Sequence, residues 1–275
     1  MRTVHGKLFV LVVTIATCLI MFGCGQRYRS NSLNKRQSDG LHNKHNLSPI
    51  ELPLITGHDF IITHSAYIVS YNYNTLTANW VAYELTADET DGSWSRKGLR
   101  FIPDPNCHSK QADNDDYRNS GYSRGHLAPA GDMKWDSVAM LESFYFTNCI
   151  PQDKELNNGR WNQLEMKVRS LAKEYGKVYV VCGPAFLNED TLRIGHNGVA
   201  VPDACFKALL VPASKGYSAI AFLMHNGGEE RSVKECAMTV DELETIVGFD
   251  LFCNLPDDIE DAVESKVSWE DWRLR

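Results

Sequence analysis

Positive charge is in short supply along this chain of 275 residues, where 28 lysines and arginines face 35 aspartates and glutamates for a formal net charge of −7. A uniform cationic coat for polyanions is thereby excluded, although a local basic site on an acidic body is not. Long apolar runs are missing too. The longest, Leu8 to Phe22, falls short of the roughly 20 residues a membrane-spanning helix needs. No Cys-x2-Cys or His-x3-His spacing occurs, so the common sequence signature of a structural zinc site is absent. There is no internal repeat, and 43% apolar residues with Gly 19 and Pro 10 exclude collagenous and low-complexity polymers.

The first 24 residues read as an export signal. Arg2 and Lys7 precede the Leu8–Phe22 run, which ends at Gly23-Cys24, the order of a positive n-region, a short h-region and a small residue at the cut. Met21-Phe22-Gly23-Cys24 resembles a lipobox, with Cys24 as the lipid anchor. The expectation is a lipoprotein held on a membrane and facing the periplasm or the outside, or a secreted protein. Residues 25–51 are polar and poor in large apolar side chains, which predicts a flexible tether. Six cysteines remain beyond Cys24, namely Cys107, Cys149, Cys182, Cys205, Cys236 and Cys253. An even number in an oxidising compartment predicts up to three disulfides, with the pairing open.

From Leu52 the composition becomes that of a folded domain, and 52–254 reads as one unit. Phe60–Tyr73, Trp80–Leu85, Lys177–Cys182, Phe206–Val211 and Ser218–Leu223 are β-branched or apolar and predict strands. Asn158–Tyr175 places Trp161, Leu164, Val168, Leu171 and Ala172 at helical spacing. Thr239-Val-Asp-Glu242 is a capping box that opens a helix ending near Gly248. Strands cluster on both sides of a central helix without regular alternation, which predicts an α+β fold with antiparallel pairing. Residues 255–275 carry seven acids against three bases and read as a loosely packed acidic tail.

The chemistry concentrates in Tyr117–Arg169. Gly121-Tyr-Ser-Arg-Gly-His-Leu-Ala-Pro129 sets an Arg-x-His pair between glycines, which allow tight turns or close approach to a ligand. In a solvated site the Arg124 guanidinium can grip a phosphate, and a neutral His126 imidazole can take a proton near neutral pH. On the predicted helix Glu165 and Arg169 are four residues apart and share a face. Asn157 sits at its start. An amide oxygen and a carboxylate there can hold a hard cation directly or through waters. Singly, Asn157 reads as a helix cap and Glu165–Arg169 as a surface ion pair; only the combination points to a site.

Ser123-Arg-Gly-His-Leu-Ala-Pro129, Asn148-x-x-Pro-Gln152, Leu156-Asn-x-Gly-x-Trp161 and Glu165 together resemble the DNA/RNA non-specific endonuclease family, and the likeness runs over roughly residues 60–253. The resemblance implies a ββα-metal (His-Me finger) nuclease fold, a central antiparallel sheet flanked by helices. It implies DNA and RNA as substrates and Mg²⁺ as cofactor, with Mn²⁺ as a substitute. His126 matches the general base, Asn157 the protein ligand of the metal, and Glu165 a residue orienting the ion's waters. Arg124 and Arg169 match phosphate-stabilising arginines, and Asn148 a supporting amide. Arg96 and Arg100 are both candidates for a further arginine.

Ser123 stands where the commonest family pattern has Asp, which predicts an imidazole with less electrostatic support. It also keeps open a second reading, a membrane-anchored nucleic-acid-binding protein with a weakened or inactive site. Dimerisation is left open. Residues 96–169 hold 11 basic and 10 acidic side chains against a strongly acidic remainder, consistent with a comparatively positive groove.

Overall fold

The computed structural model describes residues 49–272 apart from His58, Lys215, Glu229 and Glu230. The signal segment, Cys24 and the tether as far as residue 48 lie outside the described residues.

In chain order the main elements are β1 (Phe60–Thr63), β2 (Ile68–Asn72), β3 (Thr77–Thr86), α1 (Asn114–Tyr117), β4 (Ser123–His126), α2 (Ser137–Glu142) and β5 (Cys149–Gln152). There follow α3 (Lys154–Leu156), a π-helical turn (Asn157–Trp161), α4 (Asn162–Tyr175), β6 (Lys177–Ala185), β7 (Arg193–Ile194) and β8 (Val199–Ala200). The chain closes with β9 (Ala204–Ala213), β10 (Gly216–His225), β11 (Ala237–Met238), α5 (Val240–Val247), α6 (Asp257–Glu264) and α7 (Trp269–Trp272).

Seven strands form one antiparallel sheet in the order β1-β2-β3-β6-β9-β10-β11. The expected α+β class with antiparallel pairing is what the chain adopts. The predicted strand over Phe60–Tyr73 is two strands, since the chain reverses between Thr63 and Ile68 and His64 N–H bonds the Tyr67 carbonyl at 2.9 Å. That turn contains neither glycine nor proline, so it has none of the usual punctuation.

The sheet is covered on both faces, and side chains alternate between two cores as the pleat requires. Along β9, Cys205, Leu209 and Val211 enter one core while Phe206, Ala208 and Leu210 enter the other. Helix α4 packs Leu164, Val168, Leu171 and Ala172 onto the first face. Helix α5 packs Val240 and Leu243 onto the second. The capping box of α5 forms, Thr239 Oγ1 accepting from Glu242 N–H while Glu242 accepts from Thr239 N–H, and Gly248 ends it at φ 74°.

Two expectations need correcting. The acidic tail is packed rather than loose: it forms α6 and α7, Leu255 joins the second core, and Trp272 is fully buried in the first. Leu255, just before α6, and Ile259 and Val263 within it recur every four residues, so one side of this segment is apolar despite the charge around it. No disulfide is formed among the described residues, where all six cysteines but Cys253 are buried. Each behaves as a small apolar side chain in its own pocket, Cys182 Sγ meeting the Leu127 carbonyl at 3.2 Å and Cys149 Sγ the Tyr117 hydroxyl at 3.5 Å.

Candidate active site

Strands β4 and β5 pair outside the main sheet, with Arg124 opposite Pro151 and His126 opposite Cys149, and the chain then runs into α4. This is a ββα unit, and it carries the site. The pleat puts Arg124 and His126 on one face and Ser123 and Gly125 on the other. A Cβ on Gly125 would lie 2.4 Å from Gln152 Oε1, so any larger residue between the two functional side chains would force β4 and β5 apart.

A cleft of about 690 Å³ opens between this unit, the 92–96 loop and the start of α4. Arg96, Arg124, His126, Asn157, Glu165 and Arg169 all line it. Six sequence-predicted residues therefore meet in one place. Arg100 is exposed and outside the cleft, so Arg96 is the upstream arginine that reaches it. Ser123 does not line the cleft. Neither does Asn148, which is fully buried and fastens the loop after His126. Its Oδ1 accepts from Ala128 N–H, and its Nδ2 donates to the Ala128 and Ser143 carbonyls, all at 2.8 Å.

The imidazole of His126 is 9% exposed. Phe101 and Phe144 flank it, with ring centroids 4.7 and 4.9 Å away. The indole N–H of Trp161 donates to the His126 carbonyl at 3.3 Å. Burial, with the Arg96 charge adding to it, pushes the imidazole down to about 3, so it is neutral throughout the physiological range. Its Nε2 has no hydrogen-bond partner.

Asn157 begins the π-helical turn, and Gly159 breaks helical geometry within it at φ −99°, ψ −109°. The predicted single helix over 158–175 is thus a π turn followed by α4, a distortion that recurs at functional sites. Burial pushes Glu165 up to about 7; Lys207 opposes that shift and Asp132 adds to it. A carboxyl so placed has lost most of its water, and the Asn157 amide lines the same cleft with it. This donor set, two hard oxygens with room for waters, fits a divalent ion of the Mg²⁺ type.

Arg169 does not pair with Glu165 as a surface ion pair would. Its Nη1 bonds Asp132 Oδ1 at 2.6 Å, and the Tyr83 hydroxyl donates to Asp132 Oδ2 at 2.9 Å. Arg124 lies 5.3 Å over the Tyr117 ring and donates to the Asn114 carbonyl at 2.9 Å. Two groups were not anticipated from sequence. Asp132 is fully buried, and so is Lys207, whose Nζ sits 4.7 Å over the Trp161 ring and 3.4 Å from the Leu127 carbonyl. The signal was available for Lys207: a lysine inside Phe206–Val211, a strand otherwise apolar on both faces, requires a buried counter-charge. Counting the lining side chains, Arg96, Arg124, Lys134 and Arg169 face the single carboxylate Glu165. The cleft is positive on an acidic molecule.

Residues 53–258 match the family model of the DNA/RNA non-specific endonucleases. The chain belongs to this family. It is 36% identical over 204 residues to the mitochondrial nuclease EXOG of Danio rerio, covering 69% of this chain and 60% of that protein. Against human mitochondrial endonuclease G it is 38% identical over 164 residues, 56% of this chain and 55% of the relative. The chain thus spans little more than half the length of these relatives. Among solved structures, EndoG in its complex with EndoGI superposes with a TM-score of 0.68 at 29% identity, over 74% of this chain and 89% of that one. The ββα-metal fold implied by the sequence resemblance is thereby shown.

Proposed function

We propose that the protein is a metal-dependent endonuclease that hydrolyses phosphodiester bonds of DNA and RNA with little sequence preference. The observation that carries this reading is the convergence of a neutral imidazole, three guanidiniums, an amide and a carboxylate on one positive cleft. Family membership supports it.

In the proposed reaction the phosphate of the substrate lies among Arg96, Arg124 and Arg169, whose charges complement the more negative transition state. A water attacks phosphorus and gives its proton to the neutral His126 imidazole. The new P–O bond forms as the bond to the leaving oxygen breaks, and that oxygen gains a proton from solvent. Asn157, with Glu165 acting through waters, would hold the ion. When bound, Mg²⁺ (or Mn²⁺ in its place) supplies Lewis acidity toward the scissile phosphate. Contacts of this kind touch the sugar–phosphate backbone and carry no base sequence information.

The proposed setting is export, with Cys24 as a lipid anchor, on the strength of Arg2, Lys7, the Leu8–Phe22 run and Gly23-Cys24. The buried cysteines, with no disulfide among the described residues, lend that setting no support. Loss of the protein from the membrane fraction in Cys24→Ala cells is the check.

The decisive assay is nicking of supercoiled plasmid with Mg²⁺, beside EDTA and His126→Ala controls. Removal of a general base should slow cutting by roughly 10²–10⁴-fold. Cutting that survives His126→Ala would place the chemistry elsewhere. A salt-sensitive gel shift without cutting would favour capture over hydrolysis.

A further inference from the structure

Residues 237–265 contain nine carboxylates and no lysine or arginine. The chain folds this segment so that Asp241 and Glu244 of α5 meet Glu264 of α6, with one carboxylate oxygen from each within 4.8 Å of the others. Glu260, 3% exposed, and Asp250 add their charges to the same place. Glu264 is also only 3% exposed, and its Oε1 has no hydrogen-bond partner. One oxygen of Glu244 is held by Leu251 N–H at 2.6 Å, which fixes the orientation of that carboxylate. Asp241 is exposed, so the cluster has a way out to solvent.

Three carboxylates at this spacing repel one another, and burial leaves little water to screen them. In keeping with that, burial together with the neighbouring carboxylates pushes Glu264 up to about 9 and Glu244 up to about 7. The side chains that act most strongly on either are carboxylates. A second cluster, Asp113, Asp116 and His196, differs in kind. There both Asp116 oxygens are already taken, by the backbone and side-chain N–H groups of Asn197 and by Asp113 N–H, each at 2.9 Å. That cluster is complete without an ion.

We infer that Asp241, Glu244 and Glu264 form a structural divalent-cation site of the Ca²⁺ class that ties α5 to α6. The chemistry is that of a hard cation. Carboxylate oxygens from two helices in no strict octahedral arrangement, with solvent on one side for bound waters, suit the flexible 6–8-fold shell of Ca²⁺ better than that of Mg²⁺. Helix α5 and Leu255 pack on the sheet face opposite to α4, whose Glu165 and Arg169 line the nuclease cleft, so the site is separate from that cleft.

The test uses Asn157→Ala protein, so that the cleft's own ion contributes least, and reads calcium rather than nuclease activity. Calorimetric titration with CaCl₂ should give one site per chain. Tm should rise by roughly 5–10 °C at one hundred times Kd. Adding Glu264→Gln, which keeps the shape and removes a charge, should abolish the calcium-dependent part of that rise, whatever it does to Tm in EDTA. Asp241→Asn, at the exposed rim, should weaken binding by about tenfold or more and is the variant least able to disturb the core. No calcium heat in the Asn157→Ala protein, or a rise that persists in full with Glu264→Gln, would overturn the site and leave a cluster neutralised by protons alone.

Discussion

Replacing His126 should make the protein less sensitive to acid. An unfolded chain binds a proton at this position near pH 6.5, whereas burial beside Phe101 and Phe144, reinforced by Arg96, holds the folded imidazole down near 3. Between those values the unfolded state binds more protons. The contribution of His126 to stability is therefore fully present above pH 6.5, falls as pH drops through that value, and is spent by about pH 3. At pH 5, about 1.5 units below the unfolded value, the loss is about 2 kcal/mol at 1.36 kcal/mol per unit. The assay is urea unfolding of wild type and His126→Ala at pH 7.5 and pH 5. Truncation leaves a cavity whose cost is the same at both pH values, so the change between them isolates the proton. Wild type should lose about 2 kcal/mol more than the variant over this interval. Equal losses would mean that the imidazole titrates as it does in water, and the neutral, desolvated base on which the proposed reaction rests would be refuted.

Further outcomes follow from the groups around it. Glu165, held near 7, must give up its proton to serve an ion, so apparent Mg²⁺ affinity in the cleavage assay should be about tenfold weaker at pH 6 than at pH 8. Asp132→Ala removes the acceptor of both Arg169 and the buried Tyr83 hydroxyl; the expected loss by urea unfolding is about 2–4 kcal/mol, and less for Asp132→Asn, which keeps an acceptor. Lys207→Met removes the positive charge that opposes the upward shift of Glu165, so the acid limb of the cleavage profile should move to higher pH. Ser123→Asp should change kcat by less than about fivefold, since its side chain points off the cleft and an added surface charge is worth at most about 1 kcal/mol.

Local rules carried much of this fold. The strands β3, β6, β9 and β10, the apolar stripe of α4 and the capped start of α5 each lie within a few residues of the bounds that periodicity and capping chemistry predict. What escaped has a physical reason in each case. The reversal after Thr63 is built from His64, Ser65 and Ala66, with neither glycine nor proline to punctuate it. The charge of α6 masked the four-residue recurrence of Leu255, Ile259 and Val263. Arg96 and Arg100 differ only in how the 92–96 loop is held, and that depends on a contact distant in sequence, Trp94 N–H to the Lys134 carbonyl at 2.9 Å. The six cysteines show that an even count says nothing about proximity, which only the packed chain decides.

The site also explains why this sheet tolerates charge in its interior. Leu209 and Val211 of β9 face the same core as Lys207, and that core also receives Trp161 from the π turn and Leu164 from α4. A lysine there would ordinarily be a liability of several kcal/mol. Here its ammonium lies against the Trp161 face, and the carboxyls of Glu165 and Asp132 act on it from the cleft side. Asp132 in turn holds Arg169 at the cleft wall, and Gly131 beside it leaves that guanidinium room, since a Cβ would sit 2.7 Å from Nη1. The buried charges thus form a chain from β9 to the cleft surface, in which each member needs the next. Such a chain couples the members: Lys207→Met and Asp132→Asn together should cost less stability than the sum of the two single changes, by about 0.5–3 kcal/mol in a double-mutant cycle. Strict additivity would mean that Lys207 and Asp132 answer to separate partners, and that the lysine has no part in setting the electrostatics of the cleft.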